Sequence, residues 1–90
     1  MLSIIVPVRD ESDSLKDILD YFSKNLININ YEVLIINDFS EDDTLSKAKS
    51  VTNKYEHFKV FNNEKKGLGG AINLGIKKAS GTHVTIMMAD

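Results

Sequence analysis

Carboxylates recur in this sequence at one kind of place, directly after a short run of apolar residues. Asp10 and Glu11 follow Leu2–Val8 and Arg9; Asp38 follows Val33–Ile36 and Asn37; Asp90 follows Val84–Met88 and Ala89. If the runs are strands of an open α/β sheet, these groups gather where such sheets bind ligands. Carboxylates there accept hydrogen bonds from hydroxyl and N–H groups and ligate hard cations. Each cluster also has an ordinary reading. Asp10, Glu11 and Asp13 suit a solvated helix start, Asn37 and Asp38 suit a turn, and Asp90 alone suits solvent. Three strand-end acids together favour a shared ligand site.

A fourth segment, Gly67-Leu68-Gly69-Gly70, precedes a helical pattern and follows Lys65 and Lys66. Glycines at a helix start let backbone amides approach a phosphate. The spacing lacks the dinucleotide fingerprint and the Lys-Ser/Thr of a P-loop. A tight turn with solvated lysines is the alternative, and close helix packing is the favoured role of Gly75. His57 and His83 show no metal-ligand spacing to the acids.

The elements that must position these groups follow from periodicity. Leu2–Val8, Val33–Ile36, Phe58–Phe61 and Val84–Met88 read as strands, the last as a buried one. Largely apolar runs of this kind suit a parallel sheet covered on both faces. The sole proline, Pro7, belongs at a strand end or edge. Leu15, Ile18, Leu19, Phe22 and Leu26 line one face of a helix over 12–26, capped by Ser12 or Asp13. Ser40 with Asp43 resembles a capping box, placing Glu41, Asp42 and Asp43 in the first turn of a second helix. Its buried stripe is Leu45, Ala48, Val51, Thr52 and Tyr55. A third helix spans about Gly69 to Ala79 and stops at Ser80-Gly81. The alternation predicts an α/β fold: a parallel sheet of order 3-2-1-4 with helices on both faces.

Ninety residues make one small domain. Eleven basic against 13 acidic residues, a net charge of −2, give no electrostatic reason to expect nucleic acid as a partner. With no cysteine there is no disulfide framework and no thiolate metal site. No apolar run approaches the roughly 20 residues needed to span a bilayer. A cytosolic domain, or one at a cytosolic membrane face, is expected.

Four segments in order resemble the N-terminal half of the family 2 glycosyltransferases of GT-A fold. Ile4-Ile5-Val6-Pro7-Val8-Arg9-Asp10-Glu11 is similar to the family's strand and Pro-x-Tyr-Asn-Glu. Asn37-Asp38-Phe39-Ser40-Glu41-Asp42-Asp43-Thr44 resembles Asp-Asp-Gly-Ser-x-Asp-x-Thr. Gly67-Leu68-Gly69-Gly70-Ala71-Ile72-Asn73-Leu74-Gly75 resembles Gly-x-Gly-x-Ala-x-Asn-x-Gly. Met88-Ala89-Asp90 resembles the Asp-x-Asp metal motif. The polyprenyl-phosphate sugar transferases, similar to dolichol-phosphate mannose synthase, are the nearest subgroup.

The resemblance implies a Rossmann-like, three-layer half of a GT-A domain over residues 1–90, ending at the Asp-x-Asp position of a longer enzyme. It implies that a nucleotide-diphosphate sugar donates to an acceptor, with a polyprenyl phosphate as one candidate. Pro7, Arg9 and Glu11 would line base and ribose, with Arg9 where an aromatic is common. Asp38 would accept from the base or sugar, with Ile36 packed beside it. Ala89 would sit at the diphosphate, and Asp90 would ligate Mg²⁺ or Mn²⁺. Asn37 stands for a usual Asp, Phe39 for a usual Gly and Met88 for the first acid of Asp-x-Asp. The general base of inverting members lies later in their chains, so these 90 residues alone are expected to be inactive.

Other readings are a non-catalytic nucleotide-binding or assembly domain on the same scaffold, a nucleotidylyltransferase and a flavodoxin-like signalling domain. Arg9-Asp10-Glu11-Ser12-Asp13 is not the glycine-rich basic loop a nucleotidylyltransferase would need after its first strand. An unpaired fourth strand would also favour self-association.

Overall fold

Seven elements alternate along the chain in a computed structural model that describes residues 1–26 and 28–88, with the backbone alone for Ser23. They are β1 (Leu2–Val8), α1 (Ser12–Asn25), β2 (Tyr31–Asn37), α2 (Thr44–Lys54), β3 (Phe58–Asn62), α3 (Leu68–Lys78) and β4 (His83–Ile86). The strands are parallel in the order β3-β2-β1-β4, as the alternation predicts. Val6 pairs with Ile35, and Ile35 with Val60.

Strand alternation divides the core into two layers. Ile4, Val6, Val8, Val33 and Ile35 face Leu15, Leu19 and Phe22 of α1 and Ala48 of α2. Ile5, Leu34 and Ile36 pack with Ala71 of α3. Gly75 lets α3 lie close to the sheet, since a Cβ there would stand 2.5 Å from Ile5 Cγ2. The packing role expected for this glycine is met.

Two helix starts differ from expectation. The Ser40 capping box does not form, because α2 begins only at Thr44 and Glu41, Asp42 and Asp43 stay in the preceding loop. Ser40 Oγ instead accepts the Asp10 N–H at 3.0 Å. Helix α1 begins at Ser12, so Glu11 is its N-cap, without a side-chain cap bond. Strand β4 is a third correction. All four of its residues are exposed, because α3 packs on β1 and β2 and, among the described residues, β4 pairs with β1 alone.

At the N-terminal ends of the strands a buried carboxylate ties distant segments together. Glu32 Oε2 accepts the Ser3 hydroxyl at 2.7 Å and the Ser80 N–H at 2.6 Å, and Oε1 lies 3.6 Å from Lys59 Nζ. Ser3 Oγ in turn accepts the Gly81 N–H at 2.9 Å. Among the described residues no helix is long and apolar enough to cross a membrane.

Candidate functional site

The site begins where β1 outruns β4. Met87 N–H donates to Ile5 O at 2.9 Å, while Asp38 N–H donates to Val8 O at 2.8 Å. Odd residues of β1 therefore address β4 and even residues address β2. Pro7, which has no N–H, falls on the β4 side just past the last pair, Ile5–Ile86. A missing donor is tolerated there, and the sheet opens at that point.

The connections after β1 and β2 are bonded to each other. Asp10 Oδ1 accepts the Glu41 and Asp42 amides at 2.6 and 3.1 Å. Glu11 N–H donates to Thr44 Oγ1 at 3.0 Å. The Asp42 carboxylate accepts the Thr44 hydroxyl and, at 2.9 Å, the Thr44 amide. These bonds, aided by others from Ser12, hold its pKa below the usual value. Asp42 thus serves the first residues of both α1 and α2 and satisfies amides that helix starts leave unpaired. Asp10 and Phe39 take left-handed backbone, with φ of 51° and 57°. The Gly-to-Phe departure at position 39 therefore leaves the turn in a conformation glycine would adopt freely.

Asp38 is buried and ties this region to the start of α3. Its Oδ1 accepts the Gly67 N–H at 2.9 Å and Asn63 Nδ2 at 3.0 Å, and its Oδ2 lies 3.2 Å from the same Gly67 nitrogen. Burial by itself would raise the Asp38 pKa. The Gly67 amide, the Asn63 side chain and the charges of Arg9 and Lys66 more than offset it, so the carboxyl titrates below its ordinary value. Gly67 has φ 118°, a backbone that L side chains rarely adopt.

These groups enclose a cleft of about 250 Å³ lined by Pro7, Val8, Arg9, Glu11, Asp38, Gly67, Leu68 and Met88. Pro7, Arg9, Glu11 and Asp38, singled out from sequence, come together there. Glu11 Oε1 accepts the Arg9 N–H at 3.1 Å, while its Oε2 is buried without a protein partner among the described residues. Ile36 does not reach the cleft. It is wholly buried in the layer beneath α3, so it supports the end of β2 through packing. Ala89 and Asp90 lie outside the described residues. His57 stacks on Tyr31 and His83 begins β4, both at the opposite ends of their strands from the cleft.

Sequence reasoning missed Asn63. It follows β3 in a polar Asn-Asn-Glu stretch whose composition signals only a turn. Gly70, read from sequence as part of the glycine-rich turn, has a close neighbour there, since a Cβ would stand 2.2 Å from Lys65 O. Among the described residues no group of three His, Cys, Asp or Glu side chains could hold a metal. Met88, at the cleft, offers a thioether, a poor donor for Mg²⁺ or Mn²⁺. The described side chains do not make a cation site.

Known proteins share this fold. The chain is 33% identical over 89 residues to a dolichol-phosphate mannosyltransferase of Pyrococcus furiosus, covering 99% of this chain and 25% of the relative. It is 33% identical to a dolichyl-phosphate beta-glucosyltransferase of Drosophila melanogaster, covering 99% of this chain and 30% of that protein. The chain thus spans between a quarter and a third of the length of these relatives. Among solved structures, S. aureus TarS 1-349 in complex with UDP-GlcNAc superposes with a TM-score of 0.86 at 28% identity, covering 99% of this chain and 26% of TarS 1-349. The mannosyltransferase PcManGT of Pyrobaculum calidifontis, in complex with GDP-Man and Mn²⁺, shares the fold with a TM-score of 0.87 at 24% identity, covering 99% and 27%. Residues 3–90 match the Glycosyl transferase family 2 profile, and the chain belongs to that family.

Proposed function

We propose that this chain forms the nucleotide side of the donor site of an inverting glycosyltransferase. One observation carries the reading. Side chains from the connections after β1 and β2, and the start of α3, line a single cleft at the C-terminal ends of the strands. The donor is a nucleotide-diphosphate sugar. In the transfer, an acceptor oxygen bonds to the anomeric carbon as the bond from that carbon to the diphosphate oxygen breaks.

Asp38 is an ionised acceptor, which suits the ring N–H of uracil or guanine. Adenine and cytosine offer a bare ring nitrogen at that edge and would set lone pair against lone pair. Arg9, exposed at the rim, supplies a guanidinium plane that can stack on a base. The likeness to dolichol-phosphate transferases supports a polyprenyl phosphate as acceptor. With that acceptor the reaction belongs at a cytoplasmic membrane face. Asp90 is the position of this chain for which contact with Mg²⁺ or Mn²⁺ is proposed, with Ala89 at the diphosphate. Nothing in the nucleotide reading depends on that contact. Met88 at the cleft favours a second reading, a nucleotide-binding domain of the same fold without transfer.

Calorimetric titration with UDP and GDP, each with and without Mn²⁺, tests the proposal. Binding of one nucleotide that is lost in Asp38→Ala is expected. If neither binds, these residues do not form a donor site by themselves. Sugar transfer by a full-length protein that contains this chain would separate the first reading from the second.

A further inference from the structure

Asn63 makes more contacts at the site than any sequence signal suggests. Its backbone N–H donates to Asn37 O at 2.8 Å, so it is fixed against the end of β2. Its Nδ2 lies 3.0 Å from Asp38 Oδ1, 2.6 Å from Lys65 O and 3.3 Å from Gly67 O. Its Oδ1 accepts the Lys65 N–H at 3.3 Å. The residue is only 6% exposed, as is Asp38. One primary amide therefore holds a carboxylate and a turn in the same place. Neither a carboxylate nor a hydroxyl of similar reach could both donate to Asp38 and bracket Lys65 in this way.

We infer that Asn63 is a positioning residue for nucleotide binding. It locks the Asp38 carboxylate in one orientation at the cleft, with Oδ1 held by both Asn63 and the Gly67 amide and Oδ2 against that same amide. It also fixes the Gly67 turn that lines the cleft. The inference rests on the nucleotide reading above and adds a residue that does not line the cleft itself.

The physical consequence is specific. Replacing the amide by a carboxylate of the same shape puts two acids about one hydrogen bond apart, and such a pair holds a shared proton to higher pH. Arg9 and Lys66 face Asp38 as cations, and Glu11 lines the same cleft as a further acid. In Asn63→Asp, nucleotide affinity at about pH 7.5 should fall about tenfold, the scale of a lost charge-assisted hydrogen bond. It should recover toward the unsubstituted value at about pH 5.5, where one shared proton restores a donor between the two oxygens. Asn63→Ser, too short to reach Asp38 and uncharged, should lose affinity without that recovery.

The experiment is titration of the chain and both variants with UDP and GDP across this pH range. Carbon-13 titration of the Asp38 carboxyl and the Gly67 amide shift are followed in the same samples without nucleotide. A raised Asp38 pKa in Asn63→Asp, a displaced Gly67 amide and pH-recoverable binding support the assignment. An unmoved Asp38 titration, or an affinity loss equal at both pH values, overturns it. Absence of nucleotide binding by the unsubstituted chain would defeat the nucleotide reading instead. The carboxyl titration would still decide whether Asn63 holds Asp38.

Discussion

The Asp38 carboxylate faces the Gly67 amide with both oxygens, at 2.9 and 3.2 Å, and so joins the end of β2 to the start of α3 across 29 positions of sequence. The bond is made by the charged form, and that form is favoured in the folded state. Its contribution is complete above the unfolded carboxyl value and is lost as pH falls through the depressed folded value. Asp38→Asn should therefore be less stable than the unsubstituted chain by about 1–3 kcal/mol near neutral pH. The gap should close as pH drops below the ordinary aspartate value of 3.8. Urea melts of both proteins at several pH values give the difference. A gap that is constant down to low pH would show that charge is not its source.

Glu32 poses the same question at the far end of the sheet. Burial would raise its pKa, but the Ser3 hydroxyl, the Ser80 amide and the Lys59 ammonium together lower it. Glu32→Gln keeps the shape, loses the charge and presents an amide nitrogen to the donors. We expect a loss of about 1.5–3 kcal/mol, the range for hydrogen bonds to a charged group. This loss too should fade as acid protonates the native side chain below its usual 4.5. Thermal unfolding at neutral and acidic pH checks it, and equal melting points at neutral pH would overturn it.

Asp10 and Phe39 share a backbone conformation, yet substitution by glycine should act on them in opposite directions. Left-handed backbone costs an L residue about 1–2 kcal/mol. Phe39 is half exposed, and its side chain has little packing to lose. Phe39→Gly should stabilise the chain by about 1 kcal/mol, the relieved strain less glycine's extra entropy. Asp10→Gly relieves the same strain but removes the acceptor for two amides of the neighbouring loop, and should destabilise. Chemical denaturation of the two variants decides it; the same sign in both would refute the argument.

Gly75 is a contact requirement. Its missing Cβ leaves the space that Ile5 fills. Gly75→Ala should cost about 1–3 kcal/mol by overpacking. Ile5→Ala, costly alone, should cost clearly less in the Gly75→Ala background, because the added methyl occupies part of the vacated space. A double-mutant cycle measures the coupling, and simple additivity would mean that helix and strand do not meet here.

The sheet order and all seven elements were legible because largely apolar runs alternate with helical patterns such as Leu15, Leu19 and Phe22, although only β1 and β2 are buried along most of their length. That Pro7, Arg9, Glu11 and Asp38 meet at one cleft was legible because strand ends in such sheets converge. What escaped is what crosses between loops. Asp42 lies in a run of three acids that reads equally well as a helix start, and only the fold shows that it serves two helices. Asn63 escaped for the same reason, since its partners lie at Asp38 and Gly67 and no periodicity links them. Which face Ile36 takes was not legible, because adjacent residues at a strand end point to opposite faces and position alone does not choose between them.

Strand β4 gives the last prediction. Val84 and Ile86 share one face of it, paired with Ser3 and Ile5, and both are more than 40% exposed. Beyond β4 no further strand is paired among the described residues. Unpaired backbone beside exposed β-branched side chains invites pairing with a second copy of the chain, whereas a lysine there discourages it. The chain should self-associate as concentration rises, and Ile86→Lys should move that onset to higher concentration. Its unfolding should change little, because the isoleucine buries little surface within one copy. Light scattering over a concentration series reads both. If the chain stays monomeric throughout, or Ile86→Lys associates as readily as the unsubstituted chain, the edge of β4 is not what joins the copies.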